Sequence, residues 1–226
     1  MSTSAPGPRV TGLETEFGVL CAPAGPQDAV KADLPDVERA AALIFRHRPT
    51  GYRSTNLFLP NGGRLYLDIG AHPEYATAEC VSVRDLVAQD QAGRAILAAM
   101  AKRAAESLAQ EGAAVRFHLL ANNTDSAGHT YGCHESYSVP RSLLDATDDA
   151  SAASSETTMA VLTSFLATRP VLVGSGRPLA GGPAEPNEDG PGAGEEAAWG
   201  LSPRAPHLQA LTSADTTGQR ALVNTR

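Results

Sequence analysis

The chain has 226 residues, a net charge of −7, 42% hydrophobic and 19% charged residues, which fits a soluble protein with one substantial core, or one domain with an appendage. The acidic balance argues against a nucleic-acid partner. No apolar run reaches the ~20 residues of a bilayer span, and Met1–Pro8 lacks the apolar stretch of a secretory signal, so no membrane association is expected. Cys21, Cys80 and Cys133 are odd in number and far apart, form no CxxC pair, and point to a reducing cytoplasm.

In chain order, Val10–Leu20 reads as a strand interrupted by Gly12 and Gly18, and Val37–Arg46 as an amphipathic helix set between Pro35 and Pro49. Asn61-Gly62-Gly63 is a turn. Arg64–Ile69 alternates Leu65, Leu67 and Ile69 with Arg64, Tyr66 and Asp68, the period of two of a half-buried strand. Tyr75–Cys80 reads as a second short strand. Ser82–Gly112 predicts a long helix, with a capping signal at Ser82 and Asp85 and a glycine stop at Gly112. Its apolar stripe runs through Leu86, Gly93, Ile96, Leu97, Met100, Ala104 and Leu108, and Gln89 and Asp90 interrupt it.

Val115–Ala121 and Tyr131–Val139 follow as strands, Glu156–Ala167 as a helix, and Pro170–Val173 as a lead into the turn at Gly174-Ser175-Gly176. The segment 181–198 is rich in Gly, Pro and acidic residues and is expected to be a flexible loop. Separate strand runs with a long helix between them imply an α+β fold, a mainly antiparallel sheet with helices on one face.

Several short patterns carry polar chemistry. In a strand, Glu14 and Glu16 project to the same side, and two adjacent carboxylates suit a hard divalent cation such as Mg²⁺. Taken by itself this pair reads more simply as two solvated glutamates. Arg64, Tyr66 and Asp68 share a face: a guanidinium for phosphate, a phenol, and a carboxylate able to act as base. The simpler alternative is an ordinary alternating strand. Glu74 follows a turn from which it can reach the same cation. Thr77 is a candidate nucleotide contact, Glu79 has the strand parity to join it on one face, and His72 is a turn histidine. His134 and Glu135 are placed to approach metal or phosphate, whereas Asn122-Asn123-Thr124-Asp125 also fits turn chemistry. There is no GxxxxGK[ST] phosphate loop, and Gly174–Arg177 is too short for a dinucleotide fingerprint.

The order and wording of these segments are more specific than any one of them. Gly12–Val19 (GLETEFGV), Asn61–Asp68 (NGGRLYLD), His72–Cys80 (HPEYATAEC), Asn122–Gly128 (NNTDSAG), Tyr131–Glu135 (YGCHE) and Val223–Arg226 (VNTR) closely resemble the Pup ligase/depupylase family. That resemblance implies a curved, glutamine-synthetase-like antiparallel sheet that cradles ATP and Mg²⁺. It implies a ligase that phosphorylates the C-terminal glutamate side chain of Pup, the prokaryotic ubiquitin-like protein, and transfers it to protein lysines, tagging them for a proteasome. Carried over by motif, Glu14, Tyr66 and Glu74 are metal ligands, with Glu16 and His134 as weaker candidates. Arg64 and Thr77 bind ATP, and Asp68 is the catalytic base that deprotonates the incoming lysine.

The family's depupylases share most of these motifs. The short segment before Asn61 and the wording Asp68-Ile69-Gly70-Ala71-His72 favour the ligase, and a non-catalytic relative is the remaining alternative. The chain departs from the family at Ala121, His129, Ser136, Pro203 and Pro206. It also ends where relatives continue for about as many residues again, so residues 1–226 are expected to be the N-terminal part of a catalytic domain, without the family's C-terminal part.

Overall fold

The computed structural model describes residues 8–26, 34–49, 51, 53–68, 70–121, 131–140, 149–174, 176–179, 198–215 and 220–225. They fall into two units, Met1–Ser138 and Val139–Arg226. The segment 122–130, with its Asn/Asp cluster and His129, lies outside the described residues, as does the acidic segment 181–198 apart from Ala198.

In the first unit the stretch expected as one strand is two, β1 (Thr11–Glu16) and β2 (Gly18–Pro23). The break falls at Phe17, which is buried in the core and donates its N–H to the carbonyl of Pro73 at 2.8 Å. Gly18 follows because the phenol of Tyr131 fills the space a β-carbon would need. The break divides the pairing: β2 pairs antiparallel with β6 (Val115–Leu120), and β1 with β7 (Cys133–Tyr137). The ladder leaves off at Gly18↔Leu120 and resumes at Thr15↔Cys133, with the Glu16 N–H donating to the Gly132 carbonyl at 2.9 Å between them.

On its other side β1 pairs with β5 (His72–Ala76), which pairs with β4 (Arg64–Asp68), which pairs with β3 (Asn56–Phe58). The result is a five-stranded sheet of order β3-β4-β5-β1-β7, antiparallel throughout. β5 starts earlier than expected. Pro73 discourages a strand in the sequence because it lacks an N–H, yet here it sits second in the strand and contributes its carbonyl to Phe17. Residues 77–79 lie beyond the strand, so Thr77 and Glu79 do not share a strand face as parity suggested, and Cys80 returns only as an isolated bridge to Thr11.

One helix packs on this sheet at β1 and β5, and a second packs on that helix and on β2. Asp36 caps α1 (Val37–Arg46) by accepting from the Arg39 N–H at 2.8 Å, and the helix buries Ala40, Ala41, Ile44 and Phe45 at helical spacing. Ser82 caps α2 (Val83–Gln110) through the Asp85 N–H at 3.1 Å, and Gly112 beyond its end has φ +91°. Leu97, Met100, Ala101 and Ala104 of α2 join the α1 side chains, Phe17, Val19, Leu57, Leu65, Tyr75 and Val115 in one core. Each fully buried Leu, Ile or Phe there contributes about 1.5–3 kcal/mol. The architecture is the α+β arrangement expected.

The polar interruption of α2 is absorbed by the sheet. Asp90 accepts from Thr15 Oγ1 at 3.0 Å and from Arg94 Nε at 2.7 Å. Gln89 Oε1 accepts from the Tyr75 hydroxyl at 2.9 Å, and Gln89 Nε2 donates to the Asn61 carbonyl at 3.0 Å. Asn61 Nδ2 in turn donates to the Tyr75 hydroxyl at 2.9 Å. These bonds fasten β1, β5 and the turn before β4 to the helix.

In the second unit α3 (Asp149–Thr168) begins earlier than expected and is followed by α4 (Pro170–Val173). β8 (Arg177–Leu179) pairs antiparallel with β9 (Ala198–Gly200), and β10 (Ala210–Ser213) pairs parallel with β11 (Ala221–Asn224). Pro203 and Pro206 flank or enter a single 3-10 turn at Ala205–His207. Among the described residues of both units, no helix is long and apolar enough to cross a membrane.

Gly93 faces the sheet where Tyr75 crosses α2, and a β-carbon there would overlap the Tyr75 ring. Gly93→Ala gains up to about 1 kcal/mol of helix propensity but overpacks a buried ring, at a cost of about 1–3 kcal/mol. Net destabilisation is expected in chemical denaturation; a more stable variant would contradict this packing.

Candidate active site

The face of the sheet opposite the helices is where the polar residues gather, and the alternation of the strands is the reason. Leu65, Pro73, Tyr75 and Thr15 turn toward the helices, so Tyr66, Glu74 and Glu14 turn away from them. Register then sets neighbours. Tyr66 lies opposite Glu74, Glu74 opposite Glu16, and Glu14 opposite His134. Glu14, Glu74 and His134 each offer a ligand atom, and these atoms lie within 4.8 Å of one another. The Tyr66 hydroxyl donates to Glu14 Oε1, and His134 Nδ1 lies 3.2 Å from Glu14 Oε2.

The electrostatics divide two similar carboxylates. Glu14 is held low, near 2, by its hydrogen bond to His134 working against burial, with Tyr66 assisting. Glu74 is pushed up to about 8 by burial and then by the negative charge of Glu14, with Glu16 and Asp68 adding to it. The Tyr66 phenol is raised by burial and by Glu14 and Glu74, so it stays protonated and donates. A cation between Glu14 and Glu74 would relieve the repulsion that lifts Glu74. Carboxylate and phenol oxygens suit Mg²⁺, and the imidazole of His134 is the softer donor of the set. The donor set therefore fits a hard divalent ion.

The remaining expected residues distribute unequally. Glu16 does not join the cluster: its Oε1 lies 2.8 Å from His72 Nδ1 and its Oε2 accepts from the Gly132 N–H at 3.2 Å. Register alone does not separate it, since Glu16 lies opposite Glu74 on β5; its carboxylate is instead taken up by His72 and by the Gly132 N–H just before β7. His72 is thus an internal partner of Glu16, with its ring 4.6 Å from that of Tyr131, as well as a residue of the turn. Asp68 is exposed at the end of β4, opposite His72, and close enough for its charge to bear on Glu74. Arg64 lies with its guanidinium carbon 4.0 Å from the centre of the Tyr66 ring. Thr77 Oγ1 accepts from the Leu13 N–H at 3.0 Å, standing in for a strand carbonyl. A cleft of about 380 Å³ runs from Glu14 past Gly12, Ala76 and Thr77 to Ser136.

Sequence reasoning did not single out Asn56, whose Oδ1 accepts from Arg64 Nε at 2.9 Å. The alternation of Asn56, Leu57 and Phe58, with only Leu57 buried, was the available signal.

Residues 9–226 match the family model described as Pup-ligase protein. The chain belongs to the Pup ligase family. It is 42% identical over 219 residues to the Pup–protein ligase of Kocuria rhizophila, covering 96% of this chain and 43% of that protein. It is 43% identical over 218 residues to that of Xylanimonas cellulosilytica, covering 96% of this chain and 42% of that protein. The chain thus spans less than half the length of these relatives. Among solved structures, the complex between Pup and its ligase PafA matches with a TM-score of 0.66 and 34% identity, over 88% of this chain and 35% of that one. The Pup ligase PafA in complex with ADP matches with a TM-score of 0.53 and 39% identity, over 79% of this chain and 35% of that one.

The shifts of Glu74 and Glu14 act in separate pH windows. Glu74, raised in the folded state, binds its proton more tightly there than in the unfolded chain, so its contribution falls as pH rises from about 4.5 to about 8. Glu14, lowered, contributes above about 4.5 and loses that contribution as pH falls toward 2. Without divalent ions, Glu74→Gln should flatten the decline in melting temperature between pH 5 and 8. An unaltered decline would show that Glu74 is not the group responsible.

Proposed function

We propose that this chain supplies the nucleotide- and metal-binding face of an enzyme that joins the C-terminal glutamate side chain of Pup to protein lysines through a γ-glutamyl phosphate. The observation that carries the reading is the convergence of Glu14, Tyr66, Glu74 and His134 on one open sheet face, with Arg64 on one side and Asp68 on the other. Both units belong, on this reading, to the N-terminal part of one catalytic domain.

Glu14, Tyr66 and Glu74 would hold Mg²⁺, with His134 beside them. When bound, Mg²⁺ neutralises charge on the phosphoryl group in transfer. Arg64 presents a planar fork suited to phosphate oxygens. Thr77 reaches nucleotide from the wall of the cleft, since its hydroxyl accepts from Leu13 and keeps its own proton to donate. Asp68 is the base. A lysine ammonium must lose a proton before its nitrogen can attack, and an exposed carboxylate at the edge of the acidic cluster is accessible to an incoming side chain. Glu16 supports this face by bonding His72 and Gly132 rather than by meeting the metal. The contacts of Glu16 with His72 Nδ1 and with the Gly132 N–H speak for that assignment. The relatives named as Pup–protein ligases favour ligation over depupylation.

Incubation with Mg-ATP, Pup ending in glutamate, and a lysine acceptor tests the reading. A new isopeptide bond with release of ADP is expected. Release of Pup from a conjugate would mark a hydrolase, and ATP binding without turnover a binding-only relative. Asp68→Asn should retain nucleotide affinity and lose ligation by about 10²–10⁴-fold. Glu14→Ala should instead weaken Mg-ATP binding, and unchanged affinity in calorimetry would remove Glu14 from the metal site.

A further inference from the structure

We propose that Asn56, on the edge strand β3, is a positioning residue that aims the Arg64 guanidinium at an anionic phosphate group while leaving its charge intact. The inference rests on the reading of Arg64 as a nucleotide contact and extends it to a residue outside the recognised motifs.

The geometry starts from the strand. Leu57 is fully buried, so Asn56 and Phe58 on either side of it face the same way as the polar residues of β4. In register, Asn56 lies opposite Tyr66 and Phe58 opposite Arg64. Asn56 Oδ1 accepts the Arg64 Nε–H at 2.9 Å. The guanidinium carbon is 4.0 Å from the Tyr66 ring centre and 5.8 Å from that of Phe58. One flat side of the cation is therefore docked on the Tyr66 ring, and the tyrosine hydroxyl is bonded to Glu14. Among the described residues, neither Nη of Arg64 has a hydrogen-bond partner. With Nε held and one face stacked, rotation about the last side-chain bonds is suppressed. The two Nη groups are left as a fork of fixed direction.

The identity of the acceptor matters. A carboxylate at position 56 would bind the same N–H but would also neutralise the guanidinium and compete with phosphate for it. A neutral amide oxygen restrains the group without that competition. Asn56 is itself exposed, so its truncation removes little packing. A role in folding alone would predict a lower melting temperature on truncation and no specific effect at Arg64.

The test uses the full chain. The Arg64 Nε–H signal, assigned by its loss in Arg64→Lys, is followed by NMR hydrogen exchange, and Mg-ATP affinity is measured by calorimetry. Asn56→Ala should speed exchange at Arg64 Nε and weaken Mg-ATP by about tenfold, the effect expected from losing a hydrogen bond to a charged group. The melting temperature without nucleotide should stay unchanged. Asn56→Asp should keep the slow exchange yet still weaken Mg-ATP, because the restraint survives and the charge does not. Unchanged exchange in Asn56→Ala, or a lower melting temperature, would overturn the proposal. So would unchanged affinity in Asn56→Ala when Arg64→Ala weakens binding. If Arg64→Ala itself leaves Mg-ATP affinity alone, the nucleotide reading of Arg64 falls and the proposed aim toward phosphate falls with it. The exchange measurement still reports separately on the Asn56 restraint.

Discussion

Two carboxylates, Glu14 and Glu74, are kept side by side on a surface where burial, and after it the negative charge of Glu14, lifts Glu74 far above its ordinary range. Holding them there requires support from outside the pair. His134 and Tyr66 bind Glu14 directly. From behind, the contacts of Thr15 with Asp90 and of Tyr75 with Gln89 fix β1 and β5 to a helix packed into the core. The arrangement thus holds Glu74 protonated beside an ionised Glu14 in a braced frame, and a cation bound between them would favour the ionised form of both.

The same frame separates duties among acids that look alike in the sequence. Glu14 and Glu16 are two residues apart on one strand face, but only Glu14 enters the cluster with Glu74 and His134. Glu16 is level with Gly132 and within reach of His72, so it joins three strands at the point where the ladder changes partners. Asp68 stays at the rim, open to solvent.

Local periodicity made part of this legible. The alternation of Arg64 to Asp68, the helix Val37–Arg46 and the cap at Ser82 each depend on residues only a few positions apart, and they appear in the structure where the sequence implies them. What was hidden is long-range. No local pattern says that β5 separates β4 from β1, or that His134 lies opposite Glu14 across 120 positions of sequence. Thr77 and Glu79 share no strand face because the chain leaves the strand after Ala76: the Thr77 N–H still donates to the Leu13 carbonyl, but its hydroxyl, in place of its carbonyl, accepts the Leu13 N–H. Gln89 and Asp90 read as flaws in an apolar stripe because their partners, Tyr75 and Thr15, belong to distant strands.

The ladder along β1 and β2 closes in register on both sides of the detour between Leu120 and Gly132. A one-residue deletion inside Thr11–Glu16 would move that register by one. It would turn the carboxylates preceding or following it onto the helix side of the sheet, where the apolar core offers them no solvent. The alternation along β1 therefore admits no change of length within the strand that carries the acidic cluster.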